Sequence, residues 1–183
     1  LQETEPLCYG KKQVEMMGFR TKTKVDLTAK MEAAVKNLNG TSVNVGVLTG
    51  EHQWLAGIHE HGCTIPVTPK MRAYLHRIGV HLKKTTTQIV IPERSFLRTG
   101  YDVNREDALR KAEGLLPDVL SCKLSPEQYF ETVGTQVREY IKDYAVELSE
   151  PPKKDWPTRD PAKTNPLVIS GDMINGIEYE VKR

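Results

Sequence analysis

The stretch IVIPERSFLR (residues 89–98) divides the chain into two parts of different character. It begins with β-branched residues, which favour a strand. Pro92 ends that strand because proline has no N–H to donate to a neighbouring strand. Two arginines, Arg94 and Arg98, then stand on either side of an aromatic–aliphatic pair. We therefore predict a strand that ends in a turn, with the apolar pair anchoring the turn and a helical half of the chain behind it.

The composition indicates one domain with a modest core. A chain of 183 residues is most simply one domain with additional segments. Only 38% of the residues are hydrophobic and the mean hydropathy is −0.49, which leaves sizeable polar loops or surface for subunit contacts. The net charge of +2, from 26 basic and 24 acidic residues, lacks the basic excess of a dedicated nucleic-acid-binding protein.

The three cysteines, Cys8, Cys63 and Cys122, are scattered, odd in number and without CxxC spacing. This pattern favours reduced thiols in a cytosolic protein over a disulfide framework. No apolar run approaches the roughly 18 residues that cross a bilayer. The polar, acidic start of the sequence also lacks the pattern of a signal peptide.

Before residue 92, the apolar residues alternate between helical and strand spacing. The clearest strand is SVNVGVL (42–48), whose valines fall on one side. Pro69 suits the first position of a helix. We expect an exposed strand over 21–25, a helix from 26 or 28 to 38, a strand over 42–48, helices over 53–60 and 70–78, and a strand over 85–91.

After residue 98, the spacing is mainly helical. Asn104 can cap a helix that Pro117 kinks or ends. The sequence SPEQ (125–128) combines a cap, a first-turn proline and a capping-box glutamine, and it opens the longest predicted helix. The five prolines of 151–166 predict a long loop. A short helix over 172–176 and a strand over 177–181 complete the chain.

Strands interleaved with helices of unequal length predict an α+β fold, with a small mixed or antiparallel sheet packed against long helices. We expect an N-terminal arm over 1–19 and a single domain over 20–183 that includes the proline-rich loop (151–166). The last strand is separated from the others by two helices and that loop. It therefore either closes the sheet or pairs with a neighbouring subunit.

Four residues, His52, His59, His61 and Cys63, form the only group that looks like metal ligands. A zinc site needs three or four ligands at tetrahedral geometry, and the sequence has neither HExxH nor paired CxxC spacing. A metal-dependent hydrolase built on this group is therefore the alternative rather than the main interpretation. We predict no bound metal and no cofactor.

The other candidate groups favour structural roles. Arg94 and Arg98, which follow Glu93 closely in the sequence, favour its ionised form, which suits an ion pair within the chain or between subunits. Ser170 lacks the GxSxG setting of a nucleophile and suits a helix cap. Basic residues at 72, 77, 83 and 84 could touch nucleic acid, although charge runs of this size are usually a solvated surface. A small DNA-binding module that uses Lys83 and Lys84 with the two arginines of 89–98 is the second alternative.

Four segments occur in an order that is informative: VNVGV (43–47), AGIHEHG (56–62), IPERSFLR (91–98) and PLVISGDMINGI (166–177). In this order and spacing they resemble the neck or tail-completion proteins of long-tailed bacteriophages, also called minor tail or virion morphogenesis proteins. The resemblance covers nearly all of 20–183. One departure is the acidic Asp172, which stands where that family commonly has a basic residue.

The resemblance implies a non-enzymatic α+β subunit of the virion, assembled in the host cytoplasm into a ring at the head–tail junction. Such a ring, expected to hold six or twelve copies, completes or terminates the tail and joins it to the head. Its partners would be head-completion or connector proteins and the tail tube protein. Genomic DNA would pass through the lumen, where side chains meet phosphates without reading sequence. The residues expected to serve assembly are His59, Glu60, Arg94, Phe96, Leu97, Arg98, Ser170, Gly171 and Ile174.

Overall fold

A computed structural model describes residues 27–152, 165–167 and 171–183. The predicted N-terminal arm (1–19), the strand expected over 21–25 and the Ser170 cap lie outside the described residues. Most of the proline-rich loop lies outside them as well.

The described residues form helices and strands in mixed order, so the predicted α+β class is confirmed. Most of the helices and strands described lie where the apolar periodicity predicts them, with shifts of a few residues at their ends. The elements are α1 (Thr28–Asn39), β1 (Ser42–Gly46), α2 (Glu51–His61), β2 (Cys63–Pro66), α3 (Pro69–Arg77), β3 (Gln88–Ile91), α4 (Phe96–Leu120), α5 (Pro126–Glu147), α6 (Asp172–Asn175) and β4 (Glu178–Lys182).

The described strands form two separate antiparallel pairs instead of the single sheet expected. β4 pairs with β1, from Ser42 opposite Lys182 to Gly46 opposite Glu178, so the last strand closes within the chain. β3 pairs with β2, a strand that the sequence analysis did not predict. The four residues of β2 are too few to show alternation, and they become a strand only through this pairing.

α5 lies at the centre of the fold, between α4 and the β1–β4 pair. Two glycines permit this close packing. A methyl group on Gly100 of α4 would lie 3.3 Å from Ile141 Cα, and one on Gly134 of α5 would lie 2.5 Å from the Tyr179 ring. The buried core consists of Val47, Ala56, Phe96, Ile141, Ala145, Leu167, Met173, Ile174 and Ile177.

The start and end predicted for the helix after residue 98 are wrong. α4 begins at Phe96 rather than near Asn104, whose side-chain amide donates to the Gly100 carbonyl inside the helix. A carboxylate from α2 caps the helix instead, and local spacing cannot show such a cap. The helix also continues past Pro117 to Leu120. By contrast, the capping box of Ser125 and Gln128 is confirmed at the start of α5.

Candidate functional site

Residues 63–91 form a projecting unit that we call the finger. β2 and β3 are its two sides, from Cys63 opposite Ile91 to Pro66 opposite Gln88, and the Val67 N–H extends the pairing to the Thr87 carbonyl at 2.8 Å. α3 and the loop after it form the tip. Within the described residues, the finger's elements make no extensive contact with other helices or strands. Its orientation is therefore set at its base.

The base of the finger joins two of the segments that carry the phage resemblance. AGIHEHG (56–62) ends α2 directly before β2, and IPERSFLR (91–98) follows β3 into α4. Because β2 and β3 are antiparallel neighbours, the two segments lie side by side. The Arg94 N–H donates to the His59 carbonyl at 2.7 Å and continues the contact below the strands.

Glu60 is the central side chain of this base, and its residue is only 4% exposed. Its carboxylate accepts hydrogen bonds from the backbone N–H groups of Leu97 (2.9 Å) and Arg98 (3.1 Å). These N–H groups lie in the first turn of α4, where they lack intrahelical acceptors and a negative charge is favoured. Glu60 therefore caps a helix that starts 36 residues later in the chain.

Arg98 binds both carboxylates at the base. Its Nε donates to Glu60 at 2.9 Å, and its Nη2 donates to Glu93 at 2.6 Å and to the Glu60 carbonyl at 3.1 Å. The hydrogen bonds that Arg98 donates to Glu60 and Glu93 raise its pKa above the ordinary value. The guanidinium thus bridges α2, α4 and the segment that leaves β3.

Arg94 is the buried arginine of the base, with 5% of its surface exposed. Its Nε donates to the Pro151 carbonyl at 2.8 Å and its Nη2 to the Pro152 carbonyl at 3.1 Å. Burial lowers the pKa of Arg94, because desolvation disfavours the charged form. These bonds fasten the chain that follows α5 to the base. We call the set of Glu60, Glu93, Arg94 and Arg98 the clasp.

Gly62 allows the clasp to close. Its φ of 71° and ψ of 167° belong to a region that only glycine occupies readily. A methyl group there would lie 2.9 Å from the Glu93 nitrogen and 3.0 Å from the Ile91 oxygen, both of which are backbone atoms. The last glycine of AGIHEHG is therefore required by the close approach of the two segments.

The predicted assembly residues fall into two groups in space. His59, Glu60, Arg94 and Arg98 meet at the base of the finger. Phe96 has no exposed surface, Leu97 packs partly buried against the core, and Ile174 of the second segment is 5% exposed in the same core. Gly171 adopts a left-handed φ of 93° before α6. Their predicted role in assembly stays a prediction, and their contacts within the chain are those of a folding unit.

The two alternative site sets do not form clusters. In the described part of the chain, no three side chains of His, Cys, Asp or Glu converge closely enough to hold a metal ion, so the predicted histidine–cysteine group is no ligand set. Lys83 and Lys84 lie in the loop before β3, whereas Arg94 and Arg98 are engaged in the clasp. The DNA-binding alternative therefore loses its two arginines but keeps its two lysines.

A second polar cluster, which the sequence analysis missed, joins α4 to α5. Asp107 accepts hydrogen bonds from the Tyr140 hydroxyl and from Arg110, and Lys111 lies 3.0 Å from its carboxylate. The bond from Tyr140, followed by those from Lys111 and Arg110, lowers the pKa of Asp107. Lys111 also donates to the Tyr140 hydroxyl at 2.5 Å. The cluster holds two helices together, and spacings of three and four residues within α4 were its only sequence signal.

Comparison of the chain with protein-family models, with curated proteins and with solved structures finds no match. Of the helices within the described ranges, none combines the length and the apolar character needed to cross a membrane.

Proposed function

We propose that this chain is a non-enzymatic structural subunit of a phage virion that forms a homo-oligomeric ring at the head–tail junction. The ring would complete or terminate the tail and join it to the head through connector and tail tube proteins. The observation that supports this proposal is the convergence of the resembling segments. AGIHEHG (56–62) and IPERSFLR (91–98) build the clasp, and Phe96 of the second segment lies in the same core as Ile174 of PLVISGDMINGI (166–177).

Within this proposal, the clasp serves assembly by fixing the orientation of the finger relative to the rest of the subunit. Glu60, Arg94 and Phe96 are buried inside one chain, so their side chains are not free to contact a neighbour. They hold the finger at a set angle to α4 and α5. A closed ring needs every copy to present the same two surfaces in the same relation, and a rigidly mounted finger meets that need.

Exposed apolar side chains supply surface for the subunit contacts. Met31 and Val35 lie on one face of α1 together with Leu27, which directly precedes the helix, and the three are 38–42% exposed. Trp54 on α2 is 74% exposed, the highest value among the large hydrophobic residues described. Burial of such side chains favours association, and tryptophan is enriched among residues that dominate interface energies. We assign Trp54 to the contact between neighbouring copies.

Native mass spectrometry of the purified protein at micromolar concentration tests the proposal. We expect a ring of six or twelve copies without metal. A zinc-loaded monomer or dimer would support the hydrolase alternative instead. A protein that is monomeric in solution and absent from purified virions contradicts the ring.

The Trp54→Ala variant tests the assigned contact. We expect it to shift the mass distribution towards monomers, because it removes a large exposed aromatic without touching the core. Val146→Ala is the matched control, since Val146 is an exposed apolar residue (59%) on α5. A ring that survives Trp54→Ala places the contact elsewhere while leaving the ring itself in place.

A further inference from the structure

The finger carries a charge of one sign. Residues 63–91 contain five lysines and arginines and no aspartate or glutamate. At the chain's average of 24 acidic residues in 183, a stretch of this length would hold about four. Taking the five cations from the total of 26 leaves 21 basic against 24 acidic residues, so the rest of the chain has a net charge of −3. The near-neutral total thus hides a basic projection on an acidic body.

The cations of the finger tip are presented to solvent. Lys70, Tyr74 and Arg77 recur at helical spacing on α3, and all three are exposed. The Arg77 guanidinium lies 5.5 Å from the centre of the Tyr74 ring, which orients it along this face. None of the finger's five cations forms an ion pair with any residue that the structure describes. Their charge is therefore available to a partner.

Arg72 organises the other side of the tip. Its guanidinium donates to the carbonyls of Lys83 (2.9 Å) and Thr86 (2.6 Å), with a longer bond of 3.3 Å to Leu82. These bonds hold the loop KKTTT (83–87) against α3. Lys83 and Lys84 remain exposed, next to three threonines. Lysine together with hydroxyl side chains is a common set of phosphate contacts.

We propose that the finger is a nucleic-acid-binding element that contacts the phosphates of duplex DNA without reading its sequence. Four exposed cations are available for this contact: Lys70, Arg77, Lys83 and Lys84. Because they lie on two sides of the tip, they suit a polyanion that passes around or alongside it better than a single small anion. The clasp keeps the tip at a fixed distance from the acidic body, which would repel the same phosphates.

This inference stands on the finger alone and does not need the ring. A monomer with an intact finger should still bind DNA, and a ring could form from copies whose fingers bind nothing. The mass measurement therefore tests the ring, the DNA titration tests the finger, and a negative result in one does not imply a negative result in the other. For the ring, the inference would identify the part of each copy that meets the genome.

Fluorescence anisotropy with two short labelled duplexes of unrelated sequence tests the inference in a salt series. If each of four cations neutralises one phosphate, affinity should fall about a hundredfold between about 50 and 200 mM salt. Lys83→Ala/Lys84→Ala and Lys70→Ala/Arg77→Ala should each flatten the slope of log K against log salt by about 1.8, because each removes two contacts. Both duplexes should give the same result.

The matched control is Lys30→Ala/Arg105→Ala, which removes the same charge from exposed positions on α1 and α4 outside the finger. It should leave both affinity and slope unchanged. The inference is overturned if the native chain does not bind at low salt, or if the control weakens binding as much as the finger variants do. Tighter binding to phosphatidylserine-containing vesicles than to DNA would also overturn it and would identify a membrane surface as the partner.

Discussion

The substitution Glu60→Ala tests whether the clasp fixes the finger to the body. It removes the acceptor of two backbone N–H groups in the first turn of α4 and one partner of Arg98. Leaving these partly buried N–H groups without an acceptor costs about 1–3 kcal/mol, a range that already includes the roughly 0.5–2 kcal/mol typical of a lost side-chain cap. The pair with Arg98 adds at most about 1 kcal/mol, because the arginine side chain is 54% exposed. We therefore expect the free energy of unfolding to fall by about 1–4 kcal/mol.

Urea denaturation followed by circular dichroism, at one fixed protein concentration, measures this loss. The matched control is Glu93→Ala, which removes the other carboxylate bound by Arg98. Its side chain is 56% exposed, so we expect a loss below about 1 kcal/mol. Glu60→Gln should lie between the two, since the amide keeps one acceptor oxygen but turns a donor towards other donors. Equal losses in Glu60→Ala and Glu93→Ala would refute the cap, because burial would then have no effect.

Two further predictions concern Gly62 and Asp107. Gly62→Ala should destabilise the chain by about 2–4 kcal/mol, because of its unfavourable backbone angles and the contact with the Glu93 backbone. The control Gly57→Ala lies in open space on α2 and should stabilise the chain by up to about 1 kcal/mol. Urea titration of both variants measures the two effects, and equal effects would contradict the close approach. Asp107→Asn should be less stable than the native chain at pH 7, because the folded-state pKa of Asp107 is lowered. The stability that Asp107 contributes is present above its unfolded pKa of about 3.8 and is lost as pH falls further, so the two unfolding curves should converge in acid. The control Asp143→Asn, at an exposed position, should change stability little at pH 7.

The sequence predicts those parts of the fold that depend on neighbouring residues. β1 follows from its alternating valines, and α5 follows from the capping box of Ser125 and Gln128. Both signals operate within a few residues, so they can be seen without knowing the rest of the fold. The α+β class follows from the order of such elements.

The parts that the sequence analysis missed depend on distant residues. β2 is a strand because β3 lies beside it, and Ile91 is 28 residues away from its partner Cys63. α4 starts at Phe96 because Glu60 supplies its cap from α2. The separation of the strands into two pairs follows from the same long-range pairing, which local periodicity does not encode.

The sequence predicted an ion-pair cluster at the candidate site, but it did not predict all the hydrogen-bond partners of the two arginines. The two arginines that follow Glu93 predicted an ion-pair cluster, and Arg98 does bind Glu93. The sequence did not show that Arg94 and Arg98 would have different hydrogen-bond partners. Arg94 donates to proline carbonyls 57 and 58 residues away, while Arg98 takes both carboxylates. Only the fold determines which arginine is buried, because both stand in the same short segment.

The charge of the clasp also bears on the finger. Glu60 and Glu93 are the acidic residues nearest to the finger on either side in sequence, and one guanidinium, that of Arg98, binds them both. Since Arg94 donates to carbonyls and keeps its charge, the four residues of the clasp sum to zero. The acids at the base are thus occupied, and they leave the cations of the tip uncompensated. A positive tip on a negative body creates a directed field, so a polyanion should be drawn to the finger rather than to the chain as a whole.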